Sequence, residues 1–155
     1  MNLVGTTFDV GFVIDAHSQS RKAALWKLAK HIEELRPDTA TGKLAKCLHD
    51  RERLGSTAIG AGVAIPHAVL HDHSPPLILA TRLEQKLDFG ALDGSGVDIL
   101  LAVVGNRKDL LFLQAVMPRI CKLVQDRALL GELRSATNIE EVQRVLACLG
   151  LATTN

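Results

Sequence analysis

The run Val97-Asp98-Ile99-Leu100-Leu101-Ala102-Val103-Val104 constrains this chain more than any other feature. After Asp98 no polar residue alternates with the apolar ones, so a strand built from it can offer neither face to water. Such a strand belongs in the middle of a sheet, and a sheet buried on both faces needs a layer of helices on each side. Residues 77–83, which follow Pro75-Pro76, supply a second strand, and residues 10–14 form a shorter apolar segment near the start.

The helices can be read from periodicity. Leu25, Leu28, Ala29, Ile32 and Leu35 recur at helical spacing while Arg21, Lys22, Lys27, Lys30, Glu33 and Glu34 take the other faces, which predicts an amphipathic helix ending near Pro37. Trp26 is expected to be partly buried against it. A second helix is predicted from Asp38 or Thr39, either of which can cap its amides, through Leu44 and Leu48 to Gly55. Its last turn, with Glu52 and Arg53, reads as a solvated polar end. Later, Leu110, Leu113, Val116, Ile120, Leu123 and Val124 form one stripe, with a kink expected at Pro118. Asp126 can cap the next helix, and Thr137 with Glu140 forms a capping box before Val142, Val145, Leu146 and Leu149. Residues 87–96 read as turns, with Asp88 and Asp93 as turn formers. The expected fold is α/β: a three-layer α/β/α sandwich with a mixed sheet flanked by helices, formed by residues 1–155 as one domain.

Charge narrows the function classes. With 18 Lys and Arg against 17 Asp and Glu, the net charge of +1 makes no electrostatic case for nucleic acid or a membrane surface. The start has no basic-then-apolar leader, and no apolar run approaches the ~20 residues of a membrane span, so a cytoplasmic location is expected. Cys47, Cys121 and Cys148 are widely separated among helix-forming residues, which fits reduced core thiols. No cofactor is implied. His67, His71 and His73 could be read as a metal cluster, but no further ligand set follows at established spacing. Gly60-Ala61-Gly62 lacks the third glycine and the following helix of a dinucleotide site.

From Ser56 the texture changes to small and β-branched residues broken by glycines, predicting two short extended segments at residues 57–60 and 63–65. The stretch Arg51-Glu52-Arg53-Leu54-Gly55-Ser56-Thr57-Ala58-Ile59-Gly60-Ala61-Gly62-Val63-Ala64-Ile65-Pro66-His67-Ala68 closely resembles an active-site signature. The signature is that of the fructose/mannitol class of enzyme IIA in the bacterial phosphoenolpyruvate-dependent phosphotransferase system. The match includes an acidic residue, a spaced hydrophobic–Gly pair and an apolar-Ala-apolar-Pro-His-small ending. The segment Asp88 to Gly94, the strand after it and the closing helices continue the resemblance over nearly the whole chain. No transporter or enzyme IIB segment is fused within the 155 residues, which points to the nitrogen-regulatory branch.

The resemblance implies that His67 accepts a phosphoryl group at Nε2 from a histidine phosphocarrier protein. A neutral imidazole is nucleophilic near pH 7, and its phosphoramidate stays reactive enough for onward transfer. Arg51 is the candidate cation for the phosphate oxygens, Ser56 and Thr57 are either hydroxyl neighbours or turn-satisfying groups, and Gly60 and Gly62 are expected to let amides approach the phosphate. Downstream, a regulatory protein such as a kinase or ion transporter is implied, or an enzyme IIB. Where many relatives carry a second histidine in a His-Leu-x-x-Leu pattern, this chain has Asp109-Leu110-Leu111-Phe112-Leu113. A carboxylate there would repel a phosphate unless Arg107 or Lys108 turns inward or the carboxylate orients His67. Two rival readings follow: an interaction module that keeps the fold but not phosphotransfer, and a sugar-specific component that donates to a separate enzyme IIB.

Overall fold

The structure, a computed structural model, describes residues 7–71 and 75–152. The chain runs β1 (Asp9–Asp15), α1 (Arg21–Leu35), α2 (Thr41–Leu54), β2 (Ala58–Gly60), β3 (Val63–Ala64), β4 (His67–Leu70), β5 (Leu77–Leu87) and β6 (Val97–Asn106). After a 3₁₀ turn at Arg107–Asp109 come α3 (Leu110–Cys121), a second 3₁₀ turn at Lys122–Gln125, α4 (Arg127–Ser135) and α5 (Ile139–Cys148).

The strands form one mixed sheet in the order β1-β5-β6-β3-β2, with β4 also paired to β6. The β1–β5, β6–β3 and β6–β4 pairs are parallel, while β5–β6 and β2–β3 are antiparallel. The apolar run is thus central, and its alternation divides the core. Ile99, Leu101 and Val103 pack with Phe112, Val116, Ile120, Leu130 and Val145 of the closing helices. Leu100, Ala102 and Val104 pack with Leu25, Leu28, Ile32, Leu44 and Leu48 of α1 and α2. Each fully buried leucine or isoleucine here contributes about 2 kcal/mol of burial free energy, and the two faces together make the expected three-layer α/β/α sandwich.

Local chemistry fixes the helix ends. Ser20 Oγ accepts the Ala23 amide at 3.1 Å and starts α1. Beyond its end, Arg36 Nη2 donates to Asp9 at 2.6 Å and to the Pro75 carbonyl at 2.9 Å, tying the helix to the starts of β1 and β5. Several expectations need correcting. Helix α2 starts at Thr41 behind Ala40, with no side-chain cap, so neither Asp38 nor Thr39 serves. The α5 cap is Asn138, whose side chain accepts the Glu141 amide at 2.9 Å, and the Glu141 carboxylate reaches back to the Thr137 amide at 2.8 Å. The box is one residue later than the Thr137–Glu140 pair because Asn138 takes the extended backbone that a cap requires. Helix α3 runs through Pro118 to Cys121 before tightening into the 3₁₀ turn. All three cysteines are exposed, and so is Trp26 at 52%, because each falls off the buried stripe of its helix.

Candidate functional site

The geometry of the site begins with a proline. Strands β3 and β4 pair with β6 at one common offset, Val63 beside Ile99, Ala64 beside Leu100, His67 beside Val103 and Ala68 beside Val104. They are one extended strip, interrupted at residues 65–66. A strand residue directs its N–H and C=O to the same side. Pro66 directs its carbonyl to the Val103 amide at 2.9 Å but has no N–H to return, and the ladder breaks there. The sequence pattern missed β4 because its four residues are too few to show an alternation; His73, weighed with His67 and His71 as a metal cluster, lies outside the described residues.

Ile65 faces the other way. Its amide donates to the Thr57 carbonyl at 3.0 Å, and its own carbonyl also points away from β6, at the place just before β2 begins. His67 fills that vacancy: Nδ1 lies 2.9 Å from the Ile65 oxygen. On the opposite side of the ring, Arg51 Nε donates to Nε2 at 3.1 Å, while Arg51 Nη1 donates to the Gly55 carbonyl at 2.9 Å at the C-terminus of α2. A carbonyl only accepts and a guanidinium only donates, so both contacts are satisfied by a single form of the ring: neutral, with the proton on Nδ1 and the lone pair on Nε2. His67 and Arg51 are both half-buried, so the ring is held but not sealed from solvent.

The other candidates serve the surrounding turns. Ser56 Oγ donates to the Phe89 carbonyl at 2.5 Å and accepts the Ala58 amide at 3.1 Å, joining the helix-to-strand turn to the residue 88–90 loop. The Thr57 amide and hydroxyl donate to the two oxygens of Glu52 at 3.0 and 2.6 Å. Glu52 is therefore not a solvated helix end but a buried carboxylate, 4% exposed, one residue from Arg51. Its place in the acidic position of the signature was the available signal. Asp109 Oδ2 accepts the Asn106 amide at 3.1 Å, with Asn106 Oδ1 accepting the Lys108 amide in return, so the carboxylate caps the turn that leads from β6 into α3.

Gly60 and Gly62 are not phosphate cradles beside His67. They form the β2–β3 turn with Ala61, and all three have positive φ. Gly62 precedes His67 by five residues of extended chain, roughly 16 Å. The turn is held from outside. Asp93 Oδ2 accepts the Ala61 amide at 2.9 Å and Oδ1 accepts the Ser95 amide at 3.0 Å, and these bonds lower the Asp93 pKa below the ordinary carboxylate value. Arg134 donates to the Ala61 carbonyl and pairs with Asp98, its Nε lying 2.9 Å from Oδ2. Asp88 likewise accepts the Gly90 amide at 2.8 Å, as a turn former does.

This combination defines a class: a compact α/β protein presenting one imidazole of fixed tautomer, backed by a guanidinium, at the margin of a mixed sheet. Over residues 9–148 the sequence matches the family described as phosphoenolpyruvate-dependent sugar phosphotransferase system, EIIA 2, and the chain belongs to that family. A nitrogen regulatory protein of Bradyrhizobium diazoefficiens is 36% identical over 131 residues, covering 83% of each chain. In fold, the chain is similar to the nitrogen regulatory protein IIA-Ntr of Neisseria meningitidis, with a TM-score of 0.79 and 24% identity over 87% of this chain and 92% of that one. It is also similar to mannitol enzyme IIA of Escherichia coli in its complex with phosphorylated mannitol enzyme IIB, with a TM-score of 0.71 and 14% identity over 91% of this chain and 99% of the other. No described helix is long and apolar enough to cross a membrane.

Proposed function

We propose that this chain is a phosphocarrier that accepts a phosphoryl group on His67 Nε2 from the phosphohistidine of a histidine phosphocarrier protein. The observation that carries the reading is the pair of contacts on the ring: Nδ1 on the Ile65 carbonyl and Arg51 Nε on Nε2. The lone pair of Nε2 forms the new N–P bond as the donor's N–P bond breaks and its electron pair returns to the donor imidazole. The proton stays on Nδ1, donated in a hydrogen bond to the Ile65 carbonyl, and that bond keeps the ring oriented. Arg51, already beside Nε2, turns its donors to the phosphoryl oxygens, where a planar guanidinium is well matched. Positioning and charge are most of what such a transfer needs.

The output we infer is regulatory, supported by the similarity to nitrogen regulatory proteins: the phosphorylation state is read by a partner protein in the cytoplasm. A sugar-specific role with a separate enzyme IIB is the rival, and a partner that drains the phosphate would reveal it. The test is incubation with phosphoenolpyruvate, enzyme I and a histidine phosphocarrier, followed by intact-mass analysis at neutral and acidic pH. An acid-labile phosphate on wild type and none on His67→Ala is the expected result. Unlabelled wild type beside a labelled control enzyme IIA would replace phosphotransfer with the binding-only module.

A further inference from the structure

Away from His67, α1 and α2 enclose an open groove of about 600 Å³. Its walls are low because Ala23, Gly42 and Ala45 are small, and a Cβ built on Gly42 meets nothing within 4 Å. Trp26 stands in it, 52% exposed, although an indole of this size contributes far more when covered. Three lysines and a histidine, Lys22, Lys27, Lys46 and His49, surround one carboxylate, Asp50. Lys46 pairs with Asp50 at 2.5 Å and Lys27 with the buried Asp15 at 3.6 Å, leaving Lys22 without an ion pair among the described residues. The two helices carry eight Lys and Arg against four Asp and Glu, whereas the rest of the chain carries ten against thirteen. The positive charge is therefore concentrated on the pair of helices that leaves its tryptophan uncovered.

We propose that the α1–α2 groove docks an acidic amphipathic helix of a partner protein. A trough between two packed helices receives a third by ridges-into-grooves packing, with an apolar residue of the incomer seated on Trp26 and in the gap over Gly42. The acidic face of the incomer meets Lys22, Lys46 and His49, which sets its choice and speeds its approach. None of the groove's lining residues belongs to the His67 site, so the docking does not depend on phosphotransfer.

Trp26 is the single tryptophan of the chain, so its emission reports on the groove directly. The probe is a tryptophan-free synthetic peptide with Leu and Glu at amphipathic helical spacing, titrated into the full chain beside a version with Lys in place of Glu. A saturable blue shift with the acidic peptide alone, weakened several-fold by raising salt from low to physiological strength, is expected. Gly42→Leu fills the gap from an exposed helical position and is expected to weaken binding at least about tenfold with circular dichroism unchanged. Lys22→Glu is expected to weaken it too. The proposal is overturned if the acidic peptide gives no saturable shift, if the basic peptide binds as well, or if Gly42→Leu binds like wild type. It is equally overturned if sedimentation shows Trp26 covered by a second copy, or if only anionic phosphatidylglycerol vesicles shift the emission.

Discussion

The strip formed by β3 and β4 is opened by a turn and broken at its middle, and these two places are built on opposite plans. At the β2–β3 turn the polar groups are taken up within the protein: the Ala61 amide by Asp93, its carbonyl by Arg134, and the Arg134 charge by Asp98. At the break, beside His67, Arg51 and one backbone carbonyl hold the ring with the Nε2 lone pair toward the guanidinium, and that lone pair is the one we propose to be phosphorylated. The difference shows how a soft binding edge gains precision. A side chain on a sheet margin is positioned only as well as its strand, and this strand is pinned at its far end and along the buried β6, so little is left for the site itself to fix.

Substitutions at four positions break or sharpen that contrast. Arg51→Ala removes the donor beside His67 Nε2; under the proposed function, phosphoryl acceptance on His67 is expected to slow ~10²–10³-fold, the usual cost of losing one charge-stabilising donor, with little change in the urea midpoint. Rapid-quench labelling measures it, and an unchanged rate would place the stabilising cation elsewhere. The effect expected of Gly62→Val is confined to the turn end. Its Cβ would lie 2.5 Å from Arg134 Nη2 and 2.7 Å from Asp98 Oδ1 at a φ of +81°, so a loss of about 3 kcal/mol in stability should be seen by urea unfolding.

Glu52→Ala lies between the two places. It strips the buried amide and hydroxyl of Thr57 of their acceptors and should cost about 2 kcal/mol, with Glu52→Gln costing less because one acceptor remains. If both variants unfold like wild type, the turn does not depend on this carboxylate. The smallest effect is pH-linked. The Ala61 and Ser95 amides hold the folded Asp93 pKa below 3.8, so its contribution is complete above that value and is lost as pH falls through the lower folded pKa. Asp93→Ala should therefore lower the urea midpoint at pH 6, with the gap to wild type closing toward pH 2 while the ¹⁵N signature of the Nδ1–H tautomer at neutral pH stays unchanged.

How much of this was legible in the chain differs by element. Residues 97–104 announced a central strand because burial on both faces leaves a compositional trace, and α1 showed its stripe, of which Leu25, Leu28, Ala29 and Ile32 are buried and Leu35, at the helix end, is exposed. The cap of α5 was misplaced by one residue, since Thr137, Asn138, Glu140 and Glu141 offer two overlapping boxes and only the backbone conformation chooses between them. Glu52 looked like any acidic residue at a helix end until the fold turned it onto Thr57.

For the candidate site, the local sequence singled out His67, its proline neighbour and Arg51, which the fold brings into contact, because the signature residues are close enough in the chain to be read as one pattern. Tertiary structure decided what could not be written locally. The tautomer of His67 depends on the Ile65 carbonyl being left free by β2, which begins only at Ala58, and Asp109 became a turn cap because its carboxylate meets the Asn106 amide at the end of β6. The glycines became a pinned turn through Asp93, Asp98 and Arg134, which stand 32 to 73 residues away from their partners. Contacts of that span leave no periodicity or spacing in a sequence; they exist only once the sheet has brought the segments together.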